Sequence, residues 1–394
     1  MTTATPAPAR VAEGHIDPAA AFVPVQTRSE RPWSFEPADF GAPTGREVNW
    51  KHTPVARLQQ LFVDEAGPHD VIGVDVTAPA VVEQRRLRVG EAPRGEVFRP
   101  EDLPSAIAWA QEESAPLISI PAGVELDEPV IIRLTGTGGL AHAHVVIEAQ
   151  ANARGVVVIR HEGTAVHAQN VEIIAREGSA LTVISLQRWD DDAVHAGAHQ
   201  ARVDRDATLT HAVVSLGGGV VRINPSVELA GEGAHGKLYG LSFADADQHL
   251  ESQVYLHHKG RHTVGDVLYK GALQGAGARS VWIGDVLIGP DATGTDSYEA
   301  NRNLVLTDGA RADSIPNLEI QTGDIVGAGH ASATGRFDDE QLFYLQARGI
   351  SEDEARRLVV LGFLTEIVQK LGIPALEDEL TAAIEAELAQ EVDA

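Results

Sequence analysis

From "APLISIPAGVELDEPVIIRL" (115 to 134) to "NLVLT" (303 to 307), short Val/Ile/Leu runs alternate with Gly, Asn or Asp turns, and no helical pattern intervenes. The runs include "HVVIEAQ", "GVVVIR", "NVEIIA", "LTVISL", "THAVVSL", "GKLYGLSF" and "SVWIGDVLIG". Strands this closely spaced cannot be the strands of a doubly wound α/β sheet, whose parallel neighbours need a helical crossover between them. A sandwich, a propeller or a solenoid remains. Internal spacing narrows the choice. "EGTAVH" (162 to 167) resembles "EGSALT" (177 to 182), then "RDATLT" (205 to 210), then more loosely "GEGAHGKL" (231 to 238). Leu181 to Leu209 is a step of 28, Gly178 to Gly233 a step of 55, and Gly163 to Gly178 a step of 15. A turn signal at that interval suggests strands stacked coil upon coil, as in a parallel β-helix, with a sandwich as the alternative. One coil cannot bury its inner face alone, so such a stack needs caps at both ends.

The flanks differ in texture. Residues 1–28 are Ala/Pro-rich with no apolar core of a signal peptide, and read as a disordered leader. Residues 29–115 mix loop and helix, with helix-like apolar spacing in "WKHTPVARLQQLF" (50 to 62) and "PSAIAWAQEES" (104 to 114). The β-rich core spans 116–335, and 336–394 is helical. There, Asp338 with Gln341 and Ser351 with Glu354 are placed as capping pairs, and Gly349 and Gly372 as stops. "EARRLVVLGFLTEIVQKL" (354 to 371) is apolar almost all round and must be covered on more than one side. Leu376, Leu380, Ile384, Leu388 and Val392 form an i, i+4 row. This apolar surplus is either a docking surface or a cap on the β-stack.

Charge and composition exclude several functions. A formal net charge of −26 argues against nucleic acid or an anionic membrane as the main partner. No apolar run approaches the ~20 residues that span a bilayer. There is no cysteine, so disulfides, a Cys nucleophile and a self-sufficient thiolate metal site are all excluded. The missing signal peptide makes the cytoplasm the expected compartment.

Four motifs invite chemistry. "GEGAHGKL" has the frame of a phosphate-binding loop, but Leu238 stands where Mg²⁺ needs a hydroxyl and the flanks read as strands. It reads as a solenoid turn, and the chain is expected to bind no ATP itself. "RWDDDAVHAGAH" (188 to 199) gathers Asp190, Asp191, Asp192 and His195, the acids and base of a lyase-like carbohydrate-active enzyme or the bland contents of a solvated turn. "HHKGRH" (257 to 262) alternates faces on a strand, so its histidines do not converge on one metal. His142 and His144 share a strand face with no carboxylate close by in sequence.

The last stretch is His330, alone among small residues in "GDIVGAGHASATG" (323 to 335). With "YKGAL" (269 to 273), "EANRNLVLTDGARADSIPNLEI" (299 to 320) and "DEQLFYLQARGI" (339 to 350), this stretch resembles the SufB/SufD family of iron–sulfur cluster assembly proteins. "REVNWKHTPVARL" (46 to 58) is similar to the family's Trp-containing N-terminal segment, and "IPAGVELDEPV" (120 to 130) to the start of its core. The resemblance implies a right-handed parallel β-helix between helical terminal regions. A chain with no cysteine and a loop histidine resembles the SufD type. It further implies that His330 is a ligand of a nascent Fe–S cluster shared with a SufB-like partner. The β-helix would pair with that partner, and the C-terminal helices would dock a SufC-like ATPase. The common family loop reads Cys-Ser-His-Gly; here Ala328, Gly329, His330 and Ala331 stand, so the loop's thiol, a second ligand on this side, is missing. No motif assigns a flavin. The expected role is a scaffold and not an enzyme; a cytoplasmic β-helix lyase using the Asp190–Asp192 and His195 region is the rival.

Overall fold

The computed structural model describes residues 28, 31–68, 70–336 and 339–388. The expected leader, apart from Arg28, and the Asp338–Gln341 capping pair lie outside the described residues and side chains. Sixteen strands are found among the described residues. They are β1 (Ile72–Thr77), β2 (Glu83–Arg88), β3 (Ser114–Ile120), β4 (Val130–Ala149), β5 (Arg154–Ala175), β6 (Ala180–Trp189), β7 (Val194–Val203) and β8 (Thr208–Ser215). There follow β9 (Val220–Leu229), β10 (His235–Ala244), β11 (His249–His258), β12 (Val264–Leu273), β13 (Arg279–Ile288), β14 (Thr295–Val305), β15 (Arg311–Ile320) and β16 (Ile325–Arg336). Helix α1 (Leu103–Gln111) precedes β3, and α2 (Asp339–Gln346), α3 (Glu352–Leu371) and α4 (Pro374–Leu388) end the chain.

From β5 onward every strand pairs in parallel with the strand two places along, in the order β15-β13-β11-β9-β7-β5-β6-β8-β10-β12-β14-β16. Odd strands therefore stack on one flank and even strands on the other, and each coil supplies one of each. That is a parallel β-solenoid, and the sandwich alternative falls. The 28-residue interval is the coil: Leu181 sits in register over Leu209. Coils lengthen toward the C-terminus, so that Glu299 lies over His330. The flanks meet in β5, whose first half pairs with β6 and whose second half pairs with β7. The bend needs Gly163, at φ 75°, where a Cβ would lie 2.3 Å from the Gly136 carbonyl oxygen.

The strands read as near-continuous apolar runs because both faces of each flank are buried. Val157, Ile159, Ile173, Leu181, Leu209 and Leu256 fill the interior. Outside the odd flank, Trp50, Leu58 and Leu61 pack on Ala168, Ala196 and Val220. Outside the even flank, Val360, Leu364, Ile367, Leu380 and Ile384 of α3 and α4 pack on Leu186, Leu241, Phe243 and Leu268. Each such fully buried side chain contributes about 1.5–3 kcal/mol. The apolar surplus of α3 and α4 thus packs on the side of the solenoid and not on its end. Ser351 caps α3, accepting from the Glu354 N–H, and Gly372 ends it in the left-handed region at φ 62°.

The two ends of the stack are unlike. At the first coil, β1 runs antiparallel on β4, β3 parallel on it, and β2 antiparallel on β3. At the last coil, β15 and β16 end the path, with no strand paired beyond them among the described residues.

Candidate functional site

His330 lies in β16, on this open end. Its register partner on β14 is Glu299, and its own neighbours Gly329 and Ala331 face Tyr298 and Ala300. Side chains two apart on a strand share a face, so Ala328 lies on the face of His330; it packs against the interior cluster. A cysteine at 328 would point the same way; here a methyl does. The His330 side chain is 45% exposed, that of Glu299 is 1% exposed, and Nδ1 and Oε1 are 3.8 Å apart. Both carboxyl oxygens of Glu299 are buried without a hydrogen-bond partner. An unpartnered buried carboxylate is costly, and burial, followed by repulsion from Asp285, pushes the Glu299 carboxyl up to about 8. His330 opens onto a cleft of about 560 Å³ whose walls include Arg28, Arg31, Lys51, His52, Asp285 and Glu319. Asp285 accepts a hydrogen bond from Asn317 at 2.9 Å, yet burial raises its carboxyl. The site is a half-exposed imidazole beside a buried carboxyl whose oxygens have no hydrogen-bond partner.

The lyase-like constellation does not assemble. Asp190, Asp191 and Asp192 are exposed in the turn between β6 and β7, as the bland reading expected, while His195 is wholly buried inside the solenoid. Asp192 accepts from Thr164 and Asp191 from Gln248. His195 Nδ1 lies 2.8 Å from Gln187 Oε1, which also accepts from Trp189 Nε1 at 2.9 Å. His195 belongs to an internal polar group that sequence reading missed. His167 lies one coil before it in register, the His161 ring packs tilted against it at 4.9 Å between centroids, and His199 meets His211 at 3.0 Å. Burial lowers all five imidazoles, His161 and His211 to about 4 and His167 to about 3. They are neutral structural groups near pH 7. The 28-residue step from His167 to His195 was the available signal.

The remaining motifs settle similarly. Residues 230–234 form a turn that leads into β10 and not into a helix, as expected for a solenoid turn. His258 points inward, with Nδ1 2.8 Å from Thr263 Oγ1 and Nε2 3.0 Å from Ser297 Oγ, while His257 is half-buried on the other face. His144 does find a carboxylate, but from the next coil, in Glu172 at 3.4 Å. Among the described residues, no group of three or more His, Asp or Glu side chains could hold a metal ion, and no helix is long and apolar enough to cross a membrane. On the C-terminal helices the exposed apolar residues are Phe343 and Tyr344 of α2, 73% and 56% exposed, and Leu358 of α3.

Comparison with known proteins adds a separate line. Residues 132–363 match the family described as SUF system FeS cluster assembly, SufBD core domain. An iron–sulfur cluster assembly SufBD family protein of Mycobacterium tuberculosis H37Rv is 47% identical over 363 residues, covering 90% of this chain and 91% of the relative. One from Mycobacterium leprae is 45% identical, covering 90% of this chain and 93% of its own. A second M. leprae protein of the same family name is 26% identical over 79% of this chain and 36% of its own length.

Proposed function

The chain belongs to the SufBD family of iron–sulfur cluster assembly proteins, and on that premise we propose that it is the SufD-type, non-enzymatic scaffold of a cytoplasmic assembly complex. It pairs through the open end of its solenoid with a SufB-like protein, and its C-terminal helical region, from residue 336 on, docks a SufC-like ATPase. His330 supplies one ligand to the nascent cluster, which is cargo and not a resident cofactor.

One observation carries this reading. The half-exposed imidazole of His330 sits on the last coil, beside strand edges that pair with nothing among the described residues. Unpaired edges are templates for another chain's strands, and Val326, 75% exposed, adds apolar surface there. Gly329 and Ala331 leave room for sulfide and a partner's backbone. Neutral imidazole is an acceptable iron ligand, and mixed Cys/His ligation occurs in Fe–S proteins. A cysteine-free chain needs its thiolates from a partner. The presence of two dissimilar SufBD family proteins in M. leprae supports a pair of unlike subunits. The ATPase would supply the movement, since the 231–238 turn lacks the helix N-terminus and hydroxyl that hold nucleotide.

The experiment is co-purification of the tagged full chain from its own cells, with identification of what comes with it. A second SufBD family protein and an ATPase in fixed ratio are expected. A chain that is recovered alone, or as a dimer of itself that excludes the second family protein, contradicts the proposal.

A further inference from the structure

Glu299 has no role in the reading above, and its surroundings are unusual. It is the residue directly opposite His330 in the ladder, one coil before it and on the same face. It is almost fully buried, and neither oxygen has a hydrogen-bond donor. It fills the space over Gly284 of the facing strand β13, where an added Cβ would lie 2.4 Å from Oε2. A native interior leaves few polar atoms unsatisfied, and each one asks what is missing. When ionised, this carboxylate only accepts, so what is missing is a donor or a cation.

We propose that Glu299 and His330 form a two-residue seat for one ferrous ion, the carboxylate and the imidazole each giving one ligand. The inference rests on His330 being a ligand and adds that the cargo this chain holds is the metal. The span fits. Two donors each about 2.1 Å from a first-row ion stand no more than about 4.2 Å apart, and Nδ1 and Oε1 are 3.8 Å apart. The donor set fits as well, because imidazole and carboxylate suit divalent iron, and no thiolate is present to select a softer ion. Two ligands make only half a site. That agrees with the lack of any group of three ligating side chains among the described residues. His330 lines the cleft and lies at the unpaired edge, the side from which sulfide and a partner's ligand would arrive. Arg28, Arg31 and Lys51 line that cleft together with Asp285 and Glu319.

The test is an anaerobic titration of Fe(II), and of Co(II) as its visible stand-in, into the tag-free full chain. The measurements are calorimetry, the Co(II) absorption spectrum and thermal melting. Wild type is expected to bind one ion that Glu299→Gln and His330→Ala each weaken at least tenfold. The Co(II) bands should shift in both variants. Glu299→Leu is the second carboxyl variant; it removes the orphaned group without leaving a hole, so it should stay folded and bind as weakly as Glu299→Gln. Normal binding by the two Glu299 variants with loss in His330→Ala would overturn the inference and leave the His330 reading intact. No binding by wild type, or equal binding by all variants, would overturn it too. The His330 reading is then judged separately, by cluster assembly in the complex.

Discussion

His144 and Glu172 stand one coil apart and meet inside the molecule, Nε2 to Oε2 at 3.4 Å, with neither side chain exposed. The same carboxylate accepts from the backbone N–H groups of Gly95, Val97 and Phe98 at 2.8, 2.7 and 3.2 Å. Burial alone would raise the Glu172 carboxyl, but the donors from His144, Val97 and Gly95 outweigh it and hold it below its ordinary value. One side chain thus ties the N-terminal segment to the solenoid. Glu172→Gln turns one acceptor into a donor facing N–H groups and should cost about 1–3 kcal/mol. Urea unfolding is the measurement, and a loss under about 0.5 kcal/mol would contradict this account.

The buried imidazoles predict acid sensitivity. Below pH 6.5 an unfolded chain protonates His161, His167, His195, His199 and His211, while the folded chain does not protonate even His161 or His211 until about 4. The unfolded state then binds more protons, so stability is full above 6.5 and falls as the pH drops through this window. Each suppressed imidazole weakens folding by about 1.4 kcal/mol per pH unit. Melting temperature should therefore fall steeply from about pH 6.5 to about pH 4.5, before most carboxylates titrate. A flat profile there would contradict the placement of these residues.

Gly240 tests the packing of successive coils. A Cβ there would lie 1.9 Å from the ring of Tyr269, which is buried one coil further on. Gly240→Ala should destabilise by about 1–3 kcal/mol or more through overpacking. Calorimetric melting reads it, and an unchanged melting temperature would mean the coils are looser than described.

Much of this architecture was legible, and the reason is periodicity. Leu181 and Leu209 revealed the coil because both are interior positions on stacked strands. Ser351 and Gly372 marked the limits of α3 because capping is a local transaction. What the sequence hid was contact between coils. Glu172 carries no mark that it will meet His144, and Glu299 is a lone acid in "EANRNLVLT". The coil grows from 28 residues at Leu181–Leu209 to 31 at Glu299–His330, so extending the early period misses the pair. The helical surplus was also ambiguous in one dimension. Its partner is the outer face of β6, β8, β10 and β12, whose alternate residues read equally well as core.

That packing changes how ATPase docking should be tested. Deleting the C-terminal helices would bare Leu186, Leu241 and Phe243 of the even flank, and the truncated chain should aggregate. Phe343→Ala with Tyr344→Ala removes only exposed side chains of α2. The double variant should melt within about 2 °C of wild type, since exposed positions change stability by under about 0.5 kcal/mol. It should bind the SufC-like ATPase at least tenfold more weakly. Undiminished binding, read by calorimetry, would move the docking surface elsewhere.

The most direct measurement is cluster absorbance after anaerobic reconstitution of the full complex with wild type, His330→Ala and His330→Cys chains. The imidazole is half-exposed among Gly and Ala, so both variants should fold and assemble like wild type. A thiolate can replace imidazole at iron, whereas a methyl cannot. We predict loss of the cluster with Ala and partial recovery with Cys. A full cluster signal in the His330→Ala complex would contradict the account and leave this histidine a bystander on the edge of the solenoid.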